Sequence, residues 1–261
     1  MLYPMRLKPD VKKSTDKDSR DLLASAPVVT PTGDVSLQQY CIPMDQLSLN
    51  ACAGNASAES EEVLSNIAGF KPTPVSRLFI YNLARNEMGD LGTDSGTTIS
   101  DCFDVLTRLG VSDEYLWPYD LEKVFTLPSI MAMRQALGHR ISGAYRIVDT
   151  TNPLDRVDSC IAALRSNHPV VFGTSLDNSF YSLNSSSPPQ KPPTGAIIGR
   201  HAMVIVGWVN GAFVVKNSWG TTWGNGGFCL FDPTYIWSSF TSDLWVPTLA
   251  LNFTVRHRVT L

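Results

Sequence analysis

His201-Ala202-Met203-Val204-Ile205-Val206-Gly207-Trp208, then Asn210-Gly211, then Ala212-Phe213-Val214-Val215-Lys216-Asn217-Ser218-Trp219-Gly220 carries the pattern of a β-hairpin with a histidine at its start. The β-branched run is a strand that opens on a histidine. Asn-Gly is the signal for a two-residue type I′ turn, because both central residues of that turn need positive φ. Ala212 to Lys216 is the returning strand, so the hairpin brings His201 beside Asn217.

An imidazole acting as a general base needs a second group to hold its tautomer, and an asparagine amide oxygen does this without adding charge. The same pairing suits a buried hairpin whose histidine and asparagine only satisfy each other. The hairpin alone leaves both readings open.

Working outward, the next deciding residue is a cysteine far upstream. Ala53, Ala56, Ala58, Val63, Leu64 and Ile67 give an imperfect helical pattern that starts at Cys52 and ends near Gly69. Unsatisfied amides at a helix N-terminus favour an anion and lower a thiol's pKa. Of the five cysteines, Cys52 has that placement. Cys102 and Cys160 fall inside apolar helix patterns and Cys229 in the strand Gly227–Phe231, as small core residues, while Cys41 precedes a loop. Of the four histidines, His201 opens an apolar strand and has an asparagine across a hairpin. The natural nucleophile and base pair is therefore Cys52 and His201. Gln46, six positions before Cys52, can aim its amide at the same carbonyl oxygen as the Cys52 backbone N–H, which would form an oxyanion hole.

The 261 residues, 43% of them hydrophobic, suffice for one large domain or two lobes. Lys plus Arg number 21 against 24 Asp plus Glu, and this balance offers no basic field for nucleic acid. The N-terminus lacks the apolar core of a signal peptide, and no stretch reaches the roughly 20 apolar residues of a membrane span. A soluble, cytoplasmic chain with no membrane partner is expected. Five widely spaced cysteines leave at least one thiol free and show no paired metal-ligand spacing, so neither metal nor other cofactor is expected. Asn184-Ser185-Ser186 and Asn252-Phe253-Thr254 match the glycosylation pattern and, without an export signal, are read as chance.

Residues 1–36 form a polar arm, expected to lie over the surface or to be partly disordered. Helical spacing recurs over 75–85 and 98–109, β character over 138–149, a helix over 156–167 and a short strand over 170–174. Ser185 to Pro193, rich in serine and proline, is expected to be a mobile surface loop.

At this point the sequence resembles the papain-like cysteine peptidases, especially their bacterial and viral branch. The likeness runs in order through Asp45-Gln46 and Cys52, Asp94-Ser95-Gly96, Trp117-Pro118-Tyr119-Asp120, His201-Ala202, Asn217-Ser218-Trp219-Gly220 and Trp223-Gly224. The resemblance implies a two-lobe α+β fold with a helical lobe and a β-barrel-like lobe, the active site lying in the cleft. The domains would be an arm over 1–36, the helical lobe with the nucleophile over 37–125 and the β-rich lobe with His and Asn over 126–261. Cys52 would be the nucleophile, His201 the base, Asn217 its orienting partner and Gln46 the oxyanion donor. Trp219 would shield the His201–Asn217 bond, Ser95 and Gly96 would pair with the substrate backbone, and Ala202 would line the substrate site.

The chain departs from the family at Ala51 and Ala53, at Leu49, where many secreted relatives have a disulfide cysteine, and at Arg200. That cation, next to His201, is expected to disfavour the imidazolium. The arm is too short for the helical inhibitory pro-segment of lysosomal members. The expected activity is hydrolysis of peptide bonds through a thiol acyl-enzyme, on a peptide or protein substrate, and a viral or phage protein in the host cell or virion is one setting that the resemblance allows. The alternatives are a catalytically silent binding or virion assembly domain, or an acyl transferase.

Overall fold

The computed structural model describes residues 3–23, 33–70, 73–148 and 152–249. Asn252-Phe253-Thr254 and His257 lie outside them. In chain order, the arm carries β1 (Lys17–Asp18) and α1 (Ser19–Leu23), and β2 (Val35–Ser36) follows. Next come α2 (Cys52–Ile67), α3 (Arg77–Glu87), α4 (Ile99–Arg108) and α5 (Ile130–Ala136). The rest is β3 (Ile141–Arg146), α6 (Pro153–Arg165), β4 (Val170–Asp177), β5 (Ile197–Val209), β6 (Ala212–Lys216), β7 (Phe228–Phe231), α7 (Pro233–Trp237) and β8 (Thr241–Leu249). A helical lobe thus faces a lobe built on one sheet, the two-lobe α+β arrangement that the resemblance implies.

Helix α2 is buried almost all round, because Ala53, Gly54, Ala56, Ser57 and Ala58 let neighbours approach closely. A Cβ on Gly54 would stand 3.0 Å from Tyr81 Cβ of α3. The other helices start where the sequence supplies caps: Ser76 accepts from the Phe79 N–H, Thr98 from Asp101 and Ser129 from Ala132.

The sheet runs β1-β3-β8-β4-β5-β6-β7, with β2 added to β5. It is an open path among the described residues, so the β-barrel-like lobe is not closed. The β5–β6 hairpin forms as its pattern predicts. Asn210 and Gly211 have φ of 50° and 78°, and Val204 pairs with Lys216. The segment expected to be a mobile loop is pinned, since Gln190 exchanges backbone hydrogen bonds with Leu230 and Asp232 on the edge of β7.

Candidate active site

Cys52 is the first residue of α2, and its N-cap, Ala51, has no side-chain acceptor to occupy the leading amides. Across the cleft, His201 is held in the middle of the sheet, paired with Thr174 of β4. Its Nε2 lies 2.7 Å from Asn217 Oδ1, which also accepts the Ser218 N–H at 2.7 Å. That atom is therefore the amide oxygen, so Nε2 carries the ring proton and Nδ1 the lone pair. Nδ1 is buried without a hydrogen-bond partner. The Trp219 ring covers the pair at 5.0 Å from the imidazole and is itself packed by Tyr181, Phe180 and Tyr3.

Gln46 is fixed from both ends of its amide. Oε1 accepts from Ser218 Oγ at 2.7 Å, and Nε2 donates to Leu49 O at 2.9 Å. Its second N–H donates to the carbonyl of Pro4 at 3.0 Å. The arm, expected on the surface, thus crosses the site. Tyr3 stacks on Trp219 at 4.9 Å, and its hydroxyl donates toward Asp45. Met5 lies against Gly199, where a Cβ would come within 2.6 Å of the Met5 carbonyl. The Leu7 N–H donates to Arg200 O and the Lys8 N–H to Thr97 O, each at 3.1 Å. Farther on, Asp10 is buried between the lobes, accepting from the Ser100 N–H of α4 and from Trp245 Nε1 of β8.

Burial displaces two expectations. Cys52 is fully buried, and burial pushes its thiol up to about 11, against the opposing pull of the Ala202, Ala53 and Cys52 amides. Burial likewise lowers His201 to about 4, with the Asn217 bond acting the other way. Burial thus favours the neutral thiol and the neutral imidazole, opposite to the lowered thiol pKa expected from the helix N-terminus. Arg200 has no part in that shift, because its guanidinium is paired with Asp243 Oδ2 at 2.9 Å.

The proposed substrate residues divide. Gly96 lies under the arm, where a Cβ would stand 1.8 Å from Arg6 O, but its N–H is taken by Tyr81 Oη. Ser95 Oγ accepts from Lys8 Nζ and donates to Asp90. The backbone edge that the arm uses is the Thr97 carbonyl, which the sequence reading did not name. Asp94 was also missed as a clamp. Its carboxylate accepts from the Asn50 N–H, Asn50 Nδ2 and Tyr81 Oη, tying the 92–96 loop to the residues before Cys52. All five cysteines are free thiols, with Cys102, Cys160 and Cys229 in the core. No cluster of metal-ligating side chains occurs among the described residues.

The papain family cysteine protease model matches residues 45–235. This chain belongs to that family. The peptidase is 32% identical over 231 residues to an uncharacterized peptidase C1-like protein of Acanthamoeba polyphaga mimivirus, across 81% of this chain and 71% of that protein. Its structure is similar to xylellain, a cysteine protease from Xylella fastidiosa, with a TM-score of 0.77 at 26% identity over 94% and 96% of the two chains. A cysteine protease of Blomia tropicalis is 25% identical over 191 residues, 70% of this chain and 55% of that one. The viral and bacterial relatives agree with the branch read from the Asp45-Gln46 motif. The activity is cysteine-type peptide hydrolysis on peptide or protein substrates, and the silent-domain and transferase alternatives are not favoured. No helix among the described residues is long and apolar enough to cross a membrane.

Proposed function

We propose that Cys52, His201, Asn217 and Gln46 are the catalytic residues of this peptidase. With the arm withdrawn, His201 Nδ1 takes the Cys52 thiol proton as Sγ attacks the substrate carbonyl carbon. The Gln46 amide and the Cys52 N–H stabilise the oxyanion. Collapse of the tetrahedral adduct breaks the C–N bond, and His201 returns the proton to the leaving amine. Water then hydrolyses the thioester by the same proton route. Asn217 holds the ring in the tautomer that leaves Nδ1 basic. Trp219 keeps water from that bond, Ala202 contributes its N–H beside the thiol, and the backbone of Ser95 to Thr97 lines the acyl side.

The observation that carries this reading is the Pro4 carbonyl on the free N–H of Gln46. A peptide carbonyl already accepts from the N–H that would hold the oxyanion. His201 must protonate the leaving amine, so the leaving side is the Trp219 side. A substrate then runs from Thr97 toward Trp219, whereas the arm runs from Tyr3 at Trp219 to Lys8 at Thr97. The arm blocks the cleft with reversed polarity, and its Pro4–Met5 bond is not presented for cleavage.

A cytoplasmic setting, in a virus-infected host cell or a virion, fits the five free thiols and the viral relative. The formal charge of −3 supports the absence of a nucleic-acid partner. Turnover of a peptide library by the wild type, Cys52→Ala and His201→Ala tests the assignment. Both variants should lose hydrolysis by ~10⁴-fold or more, and retained turnover in Cys52→Ala would remove the nucleophile.

A further inference from the structure

Asn217 gives its Oδ1 to His201 and Ser218, but its Nδ2 is buried and has no acceptor among the described residues. A second orphan lies on α2, seven residues beyond the nucleophile. Glu59 is 2% exposed; its Oε1 accepts the Ile42 N–H at 3.1 Å and the Cys41 thiol faces the carboxyl, while Oε2 has no hydrogen-bond partner of good geometry among the described residues. Glu59 and Asn217 line one cavity of about 10 Å³, walled also by Asn55, Met203, Lys216 and Ser218. That is the room one water needs, and buried waters settle where two to four polar groups would otherwise go unsatisfied.

We propose that this cavity holds a water that accepts from Asn217 Nδ2 and donates to Glu59 Oε2, making Glu59 a positioning residue for Asn217 and, through it, for His201. The proposal rests on the catalytic assignment above. Lys216 Nζ, which donates to Asn217 O at 2.7 Å and lines the same cavity, has further N–H donors for a third bond to the water. The water fixes the sense of the Asn217 amide. Flipping it would set Nδ2 against the Nε2–H of His201, donor on donor, and would turn the amide oxygen toward the Glu59 carboxylate. Asn217 is thus locked from the side opposite the imidazole, by a residue on the helix that carries the nucleophile.

The test uses the full chain and its basal turnover. Glu59→Ala should lower kcat about tenfold, as loss of an outer hydrogen-bond partner does, with KM little changed. Glu59→Gln, which keeps an acceptor oxygen, should recover most of the rate. In an Asn217→Ala background Glu59→Ala should add nothing. A fully additive double variant, or a Gln variant as impaired as Ala, overturns the proposal. Should Glu59→Ala fail to fold, water-to-amide NMR contacts decide. The Asn217 side-chain amide should show a long-lived water in the wild type and in Cys52→Ala, and absence of that contact overturns the proposal. Activity surviving in Cys52→Ala would overturn the catalytic assignment instead and leave the water contact untouched.

Discussion

The β5–β6 hairpin and the N-terminal arm converge on the same site, the arm through Gln46 and Trp219 and the hairpin through His201 and Asn217, yet they are held there by different means. In the hairpin, the Asn210–Gly211 turn sets the register and the register places His201 beside Asn217, so each step is local. The arm from Tyr3 to Lys8 has no periodicity. It is held by groups from both lobes: Gln46 and Thr97 on one side, Trp219 and Arg200 on the other. Local pattern builds the reactive pair, and surface complementarity covers it. Changes in the arm should therefore act on rate, and changes in the turn on stability.

The largest effect should come from deleting residues 1–10. With the arm in place the Cys52 thiol stands at about 11, so its thiolate is scarce at pH 7. A solvated helix-terminal thiol beside an imidazole falls to roughly 3.5–7.5. The thiolate population at neutral pH should then rise ~10³- to 10⁴-fold, and the loss of steric cover adds to it. Iodoacetamide labelling of Cys52, mapped by mass spectrometry, and peptide turnover should increase together. Equal labelling rates in the full and shortened chains would mean that the arm covers nothing.

Gln46 serves both regions, so its substitution sharpens the contrast. In the shortened chain Gln46→Ala should lower kcat by ~10²-fold or more, the usual effect of losing an oxyanion donor. In the full chain the loss should be smaller, because the same change removes the donor that holds Pro4 and loosens the arm. Identical losses in both chains would separate Gln46 from the arm.

The contrast also explains what the sequence allowed to be read. Cys52, His201 and Asn217 were legible because each sits at a point marked by pattern: a helix start, a strand start and the residue after a hairpin. The arm's path was not legible, since its residues find partners more than 40 positions away and nothing in Tyr3 to Lys8 announces a cleft. Strand β8 escaped for a related reason. It lies between β3 and β4, yet it contains Pro247 and has Asp243 at φ 55°, both contrary to a central strand. The thiol's acidity was misjudged because the helix end can be read from sequence and the burial over it cannot.

Acid should act through His201. Its folded value of about 4 lies below the ordinary 6.5, so the unfolded chain binds more protons between them. That contribution to stability is fully present above about pH 6.5 and declines as the pH falls toward 4. By pH 5 about 2 kcal/mol should be lost. Urea unfolding at pH 7 and pH 5 measures this, and His201→Ala should flatten the difference. An unchanged difference in that variant would assign the acid limb to other groups.

The smallest expected change tests the hairpin alone. Gly211 has φ of 78°, and a Cβ there would meet nothing within 4 Å, so Gly211→Ala adds backbone strain without a clash. Holding an L-residue in the left-handed region costs roughly 1–2 kcal/mol. Calorimetry should show the melting temperature lowered by about 2–8 °C for a chain of this size. The turn lies at the far end of β5 from His201, and the register is also held by β4, which pairs with β5 from Ile197 to Ile205. Turnover per folded molecule and Cys52 labelling should therefore stay within twofold of wild type. If Gly211→Ala instead exposes Cys52 or abolishes turnover, the turn is setting the His201–Asn217 geometry directly, and the division between a locally built pair and a remotely held cover fails.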